Sequence, residues 1–241
     1  MEKKNQAEVT YLFHSGFAVK TAEHLLVFDY YKDEQDCMSS LMAEGKKVWI
    51  FSSHSHNDHF NPVVKKWQDQ VEGYVFSHDL KNSSGVKDIR QDKIWYLPPY
   101  EKKELADFTV SSYGSTDEGI SFLVEVDGWS IFHAGDLNWW HWKGDTLENQ
   151  QTAAQLFRQE MEHLSGIRAD VAFFPVDSRL EECRTMGVEV FCRTAKVQQL
   201  VAMHTCGEVW KPNEAFAEKN PAISVWCPEF PGEKKFFKKG Q

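Results

Sequence analysis

Three imidazoles and a carboxylate fall within six residues in the run His54-Ser55-His56-Asn57-Asp58-His59. Imidazole nitrogen and carboxylate oxygen are the donors that borderline divalent cations such as zinc prefer. On an extended segment His54 and His56, two apart, point the same way. Asp58 and His59 follow a bend and address a second position nearby. A histidine-rich surface loop is the plainer alternative. Two features argue against it: the aspartate inside the cluster, and the apolar run Val48-Trp49-Ile50-Phe51 just before it. A loop after a buried strand is where an α/β sheet presents its ligands. The chemistry such a site supports is hydrolytic, because a bound divalent ion lowers the pKa of its water from ~15.7 to about 7 and supplies hydroxide at neutral pH.

The elements that must hold these residues are mostly strands. Val9–Phe13, Phe17–Lys20 and Leu25–Phe28 read as a three-stranded meander. Tyr74–Ser77 and Ile94–Leu97 follow, with a helix predicted from Pro62 through Trp67. Phe108–Tyr113 precedes the clearest hairpin, Ile120–Val126 and Trp129–His133 joined by Asp127-Gly128. A helix is predicted over about Thr146–Leu164, from Ala153, Leu156, Phe157, Met161 and Leu164 at helical spacing. Val171–Phe174 is a strand stopped by Pro175, Val188–Lys196 a helix, Gln198–Met203 a strand and Ala222–Trp226 the last strand. No repeat or linker interrupts the 241 residues, so one domain over 1–241 is expected. Two face-to-face sheets with helices outside satisfy the pattern.

The histidine run resembles the His-x-His-x-Asp-His signature of the metallo-β-lactamase superfamily, and further matches follow in order. Phe132-His133-Ala134-Gly135-Asp136 is similar to that superfamily's strand ending in Gly-Asp, and Ala202-Met203-His204 to its late histidine strand. Tyr11-Leu12-Phe13-His14-Ser15-Gly16-Phe17 and Leu26-Val27-Phe28-Asp29 resemble the opening of the branch that includes ascorbate-6-phosphate lactonase. The resemblance implies an α/β fold, an αββα sandwich of two mixed β-sheets with helices on the outer faces. It also implies a binuclear site in which Asp136 bridges two cations, with Asp58, His59 and His204 on the second.

One position departs from the family's pattern. The superfamily supplies a third histidine to the first cation from a His-x-x-Gly turn. Here the turn is Gly114-Ser115-Thr116-Asp117-Glu118-Gly119, and no histidine lies between His78 and His133. The first site is then His54, His56 and Asp136, with Asp117 or a water in the open position. A carboxylate there makes the site harder and tilts it from zinc toward manganese or iron. The alternative is an empty first site and a single cation on Asp58, His59, Asp136 and His204. Two zinc ions are the expectation.

In the mechanism so implied, Asp58 is both ligand and the group that orients the nucleophile, and His14 is either an oxyanion donor or a structural histidine. His133 is expected to be a core histidine bonded to backbone, and Asp29 to fix a ligand histidine through its free ring nitrogen or to cap a turn. Asp177 and Arg179 either face the pocket and read an anionic substrate or form a mutual surface pair. The indoles of Trp139-Trp140-His141-Trp142 form a substrate wall or a packing cluster. His24, His78 and His163 have no motif context and are placed at the surface.

The net charge of −9 excludes a nucleic-acid partner held mainly by phosphate contacts. No apolar run approaches the ~18 residues of a membrane span, and the polar first residues lack a secretory apolar stretch. A cytoplasmic protein without an integral membrane segment is expected. Its five scattered cysteines read as reduced thiols. The reading is a metal-dependent hydrolase that uses a metal-bound hydroxide on an ester, lactone or phosphodiester of a small molecule, an anionic one if Asp177 and Arg179 face the pocket. A non-catalytic metal-binding or sensory protein with a degenerate first site is the alternative.

Overall fold

The computed structural model describes residues 5–239. In chain order the elements are β1 (Gln6–Phe13), β2 (Gly16–Lys20), β3 (His24–Phe28), α1 (Cys37–Met42), β4 (Lys47–Ser52), β5 (Gly73–Ser77), β6 (Ile94–Leu97), β7 (Lys102–Leu105), β8 (Phe108–Tyr113), β9 (Ser121–Val126), β10 (Trp129–His133), α2 (Leu147–His163), β11 (Arg168–Pro175), α3 (Met186–Thr194), β12 (Lys196–Met203), α4 (Glu214–Lys219), β13 (Ser224–Trp226) and β14 (Lys234–Lys238). They form two mixed seven-stranded sheets, ordered β14-β1-β2-β3-β4-β5-β6 and β13-β12-β11-β10-β9-β8-β7.

Alternation along the strands sorts side chains between two environments. Phe17, Phe28 and Phe51 face inward from the first sheet and meet Phe122 and Phe173 of the second, with Phe17–Phe173 and Phe28–Phe122 centroids 4.6 and 6.4 Å apart. Their strand neighbours Ala18, Val27 and Ile50 face the other way and pack with Met38 and Leu41 of α1. Phe132 and Phe174 leave the second sheet outward and stack on Phe191 of α3 at 5.1 and 4.6 Å. Helices thus cover the outer faces of a sandwich, the expected α/β architecture.

The β9–β10 hairpin pairs Val126 with Trp129 across Asp127-Gly128, both in the left-handed region as a two-residue turn requires. Local structure departs from the expected elements in several places, and the helix expected over Val188–Lys196 runs instead from Met186 to Thr194, Lys196 opening β12. Pro62–Trp67 is a short 3-10 helix capped by the Asn61 side chain rather than an α-helix. Pro175 ends β11 from within the strand. Ser224–Trp226 is followed by one more strand, β14, which pairs with β1 and closes the first sheet. His24, expected at the surface, is buried with its Nδ1 3.1 Å from Asp127 Oδ2. No helix among the described residues is long and apolar enough to cross a membrane.

Parallel pairing puts several strand ends on one rim. β3 and β4 run parallel, as do β10, β11 and β12, and β1 runs with β3 because each is antiparallel to β2. His14, Asp29, the His54–His59 run, Asp136, Asp177 and His204 each lie within a few residues after one of these strand ends.

Candidate metal centre

The donors converge on Asp136. Its Oδ2 lies 3.5 Å from His54 Nε2, while its Oδ1 lies 3.2 Å from His59 Nε2 and 3.5 Å from His204 Nε2. His54 Nε2 is 3.0 Å from His56 Nδ1, and His14 Nε2 is 3.4 Å from Asp58 Oδ2. Bonds of about 2.0–2.2 Å place neighbouring donors of a tetrahedral cation roughly 3.3 Å apart, so these spacings match coordination edges. Three overlapping donor groups meet here, His56 with Asp117 and Asp136, His54 with His59 and Asp136, and His14 with Asp58, His59 and His204, in each case with ligand atoms within 4.8 Å of one another.

Burial supplies a second test of fit. His59 Nε2, His14 Nε2 and Asp136 Oδ1 are sealed from solvent yet make no hydrogen bond among the described residues. A buried polar atom without a partner costs about 1–3 kcal/mol, and cations held by these residues would supply the missing partners. The donor set and its spacing therefore fit divalent metal.

The backbone is bent to deliver these groups. His14, Asp29 and His204 hold φ of 59, 45 and 52°, left-handed values that are strained for such residues and persist only where tertiary contacts enforce them. Reciprocal contact does so here, because His204 N donates to His14 O. Gly119 packs where a Cβ would run into the Ser53 carbonyl and lie 2.5 Å from His54 Cβ. Only glycine lets the 114–119 turn close onto the histidine run.

Carboxylates behind the histidines set their orientation. Asp29 is fully buried, with Oδ2 2.7 Å from His59 Nδ1, and it accepts from the Ser53 backbone and hydroxyl. Asp177 does the same for His204, at 3.1 Å from Nδ1. The sequence reading has Asp177 either facing the pocket with Arg179 or paired with it at the surface, and does not anticipate the bond to His204. Both contacts occur: Asp177 is buried, and Arg179 donates to it through Nε and Nη2. The Cys206 thiol also donates to Asp177. An Asp-x-Arg following a strand end, one strand from the late histidine, was the available signal. His133 is a core residue, with Nε2 2.9 Å from Ser15 O and its ring stacked on Phe28.

Thr116, where the sequence resemblance implied a histidine, has its hydroxyl occupied twice over: it donates to Asn138 O at 2.6 Å and accepts from Asn138 N at 3.0 Å. Its neighbour Asp117 is the residue that reaches His56 and Asp136. A cleft of about 420 Å³ opens over the centre, lined by His56, Asp58, Asp117, Trp140, Trp142 and Arg179 among others. His14 is not in its lining. Trp140 is tethered through Nε1 to Asp136 O, stacks on Trp142 at 5.9 Å, and Arg179 lies over Trp142 at 5.5 Å. Trp139 instead faces a larger hollow along α2 that holds none of these donors.

Charge is distributed unevenly in the metal-free chain. Burial pushes His54 down to about 4, with the positive charge of His59 adding to the effect. Burial with the charges of His204 and His59 takes His14 to about 3. Burial opposes charge on His59 too, but the carboxylates of Asp136 and Asp29 outweigh it and raise the group to about 10. For His204 burial is outweighed by hydrogen bonding to Asp177 and Cys206 and by the charge of Asp136, again giving about 10. Asp117 is raised by burial and by repulsion from Asp136.

Cation uptake requires neutral imidazole. Loading at pH 7 is therefore expected to release about two protons, from His59 and His204, and affinity should climb with pH until about 10. Calorimetry in buffers of different ionisation enthalpy measures this. Loading without proton release would refute the charge assignment.

No family model matches the chain. A UPF0173 metal-dependent hydrolase from Bacillus velezensis is 25% identical over 232 residues, covering 89% of this chain and 92% of that protein. Among solved structures, the metallo hydrolase Igni18 from Ignicoccus hospitalis aligns with a TM-score of 0.67 at 16% identity, over 97% of this chain and 99% of that one. The metallo-β-lactamase fold protein YhfI from Bacillus subtilis gives a TM-score of 0.60 at 11% identity, over 96% and 99%. The chain has the metallo-β-lactamase fold, and proteins similar to it are named metal-dependent hydrolases.

Proposed function

We propose that this chain is a metal-dependent hydrolase that cleaves an ester, lactone or phosphodiester bond in a small anionic molecule. The observation that carries this reading is the convergence of donor groups on the two oxygens of Asp136, under an open cleft. His54, His56, Asp117 and Asp136 would hold one cation, and Asp58, His59, His204 and Asp136 the other. Divalent metal bound there supplies Lewis acidity and an acidified water. Zinc suits the imidazole-rich second group. Two imidazoles with two carboxylates make the first group harder, which suits manganese or iron as well. Asp117 beside His56 and Asp136 weighs against a degenerate first site and so against a purely binding role.

Each remaining group then has a task. Asp58, half-exposed at the cleft, holds the proton of the attacking water and aims it. Trp140 and Trp142 wall the cleft against bulk water and pack against the apolar part of the substrate. Arg179 spends one edge of its guanidinium on Asp177, leaving N–H donors for a carboxylate or phosphate at the mouth. An acidic cleft with one such cation favours a substrate of low negative charge.

The test is turnover by zinc- or manganese-loaded protein on paired substrates, neutral and carboxylated aryl esters and lactones, together with bis(p-nitrophenyl) phosphate. Arg179→Gln should raise KM about 10–100-fold for the anionic member of each pair, the worth of a charged hydrogen bond, and leave the neutral one nearly unchanged. Equal losses on both would show that Arg179 acts through Asp177 instead. Metal-loaded protein inert on the whole panel would overturn the hydrolase reading.

A further inference from the structure

We infer that His14 is itself a ligand of the second cation, so that this site retains its ion while the first site exchanges. The inference rests on the metal-centre reading above and adds a donor to it. His14 comes from the turn after β1, on a different strand end from every other donor. Its Nε2 is sealed from solvent and makes no hydrogen bond among the described residues. It lies 3.4 Å from Asp58 Oδ2 and belongs to one mutually close group with His59 and His204.

The alternative role, hydrogen-bond donor to a developing oxyanion, requires the ring to reach the substrate. His14 does not line the cleft, whereas Asp58 and His204 do. The ring instead packs behind His204, with centroids 4.0 Å apart, and edge-on to His59. Its backbone is fixed at both ends: its N–H donates to the Tyr11 hydroxyl at 2.9 Å, and its carbonyl accepts from His204 N at 3.2 Å. Both His14 and His204 are left-handed, so each holds the other's imidazole in place. This is the preorganisation expected of a ligand pair and is more than a bystander needs.

The count of donors then divides the labour. His14, Asp58, His59, His204 and Asp136 Oδ1 enclose the second position, and most of these donors are deeply buried. The first position has His54, His56, Asp117 and Asp136 Oδ2, with His56 and Asp117 exposed at the cleft. A site with room to add a ligand is the one that admits water or substrate, and a site closed by protein donors keeps its ion.

The experiment is zinc retention. Wild-type chain loaded with zinc is dialysed against EDTA and its zinc measured by mass spectrometry over time. One ion should leave quickly and one slowly. His14→Asn suits the left-handed backbone but is too short to reach the cation. It should lose the slow ion at least about tenfold faster, since even partners of ligands are worth 10–100-fold in affinity. An independent readout uses wild type alone. After the fast site is stripped, cobalt(II)-loaded protein should show hyperfine-shifted N–H signals from His14, His59 and His204. Unchanged slow release in His14→Asn, or signals from His59 and His204 only, would overturn the inference while leaving the metal centre standing. Wild type that takes up no zinc would overturn both.

Discussion

Asp136→Asn is expected to empty both cation positions and to reduce hydrolysis by well over the ~100-fold typical of changes one layer out from a metal. The substitution keeps the shape and removes the charge. Oδ1 faces His59 and His204, and Oδ2 faces His54, so an amide of either orientation turns an N–H₂ toward one donor group. In the metal-free chain burial alone would raise this carboxyl. The charges of His59, His204 and His54 outweigh it and hold the group far below the usual range. Without that counter-charge the two histidines lose much of what keeps them protonated. The cost to folding is therefore softened by their release of protons, well short of the 3–5 kcal/mol of a broken buried pair. Metal content by mass spectrometry, read beside turnover and circular dichroism, checks this. Wild-type metal content in a folded variant would contradict it.

The second large effect belongs to Asp29, which touches no cation. Burial alone would raise this carboxyl, but the charges of His133, His59 and His54 and the bond to His59 lower it instead. Asp29→Asn retains a side chain that tolerates φ of 45°, yet its amide must set a donor against the Ser53 N–H, the Ser53 hydroxyl or His59 Nδ1–H. Cation affinity at the second site should fall about 10–100-fold, and stability at neutral pH by about 1–3 kcal/mol. The sign of the pH dependence follows from the lowered folded pKa. Asp29 contributes stability above the unfolded carboxylate pKa near 3.9 and loses it as pH falls through the lower folded value. The gap between wild type and variant in denaturant melts should therefore be full at pH 6–7 and close only in strong acid. A gap that widens on acidification would refute this role for Asp29.

The parts legible in the sequence were those where one residue type at one spacing has few other uses. Three imidazoles around Asp58, a Gly-Asp after Phe132 and a histidine after Met203 could be placed on strand ends because alternating apolar runs precede them. The Asp-Gly hairpin was equally plain. What escaped was what tertiary context decides. β7 (Lys102–Leu105) and β14 (Lys234–Lys238) are charged edge strands whose lysines hide the period-two pattern, and α1 and α4 are six-residue helices too short for a periodic signal. His24 looks like a surface residue until Asp127, more than a hundred positions away, is folded onto it. Asp177 could be tied to Arg179 by proximity in sequence, but its bond to His204 depends on β11 lying beside β12. At Thr116 the missing histidine was visible, whereas the tie of its hydroxyl to Asn138 was not.

Anomalous diffraction from crystals of the zinc- or manganese-loaded protein tests the account most directly. Two peaks are predicted on either side of Asp136, one among His54, His56 and Asp117, the other among His14, Asp58, His59 and His204. Peaks elsewhere in the molecule, or none at all after loading, would contradict the claim that this rim of strand ends is a metal centre.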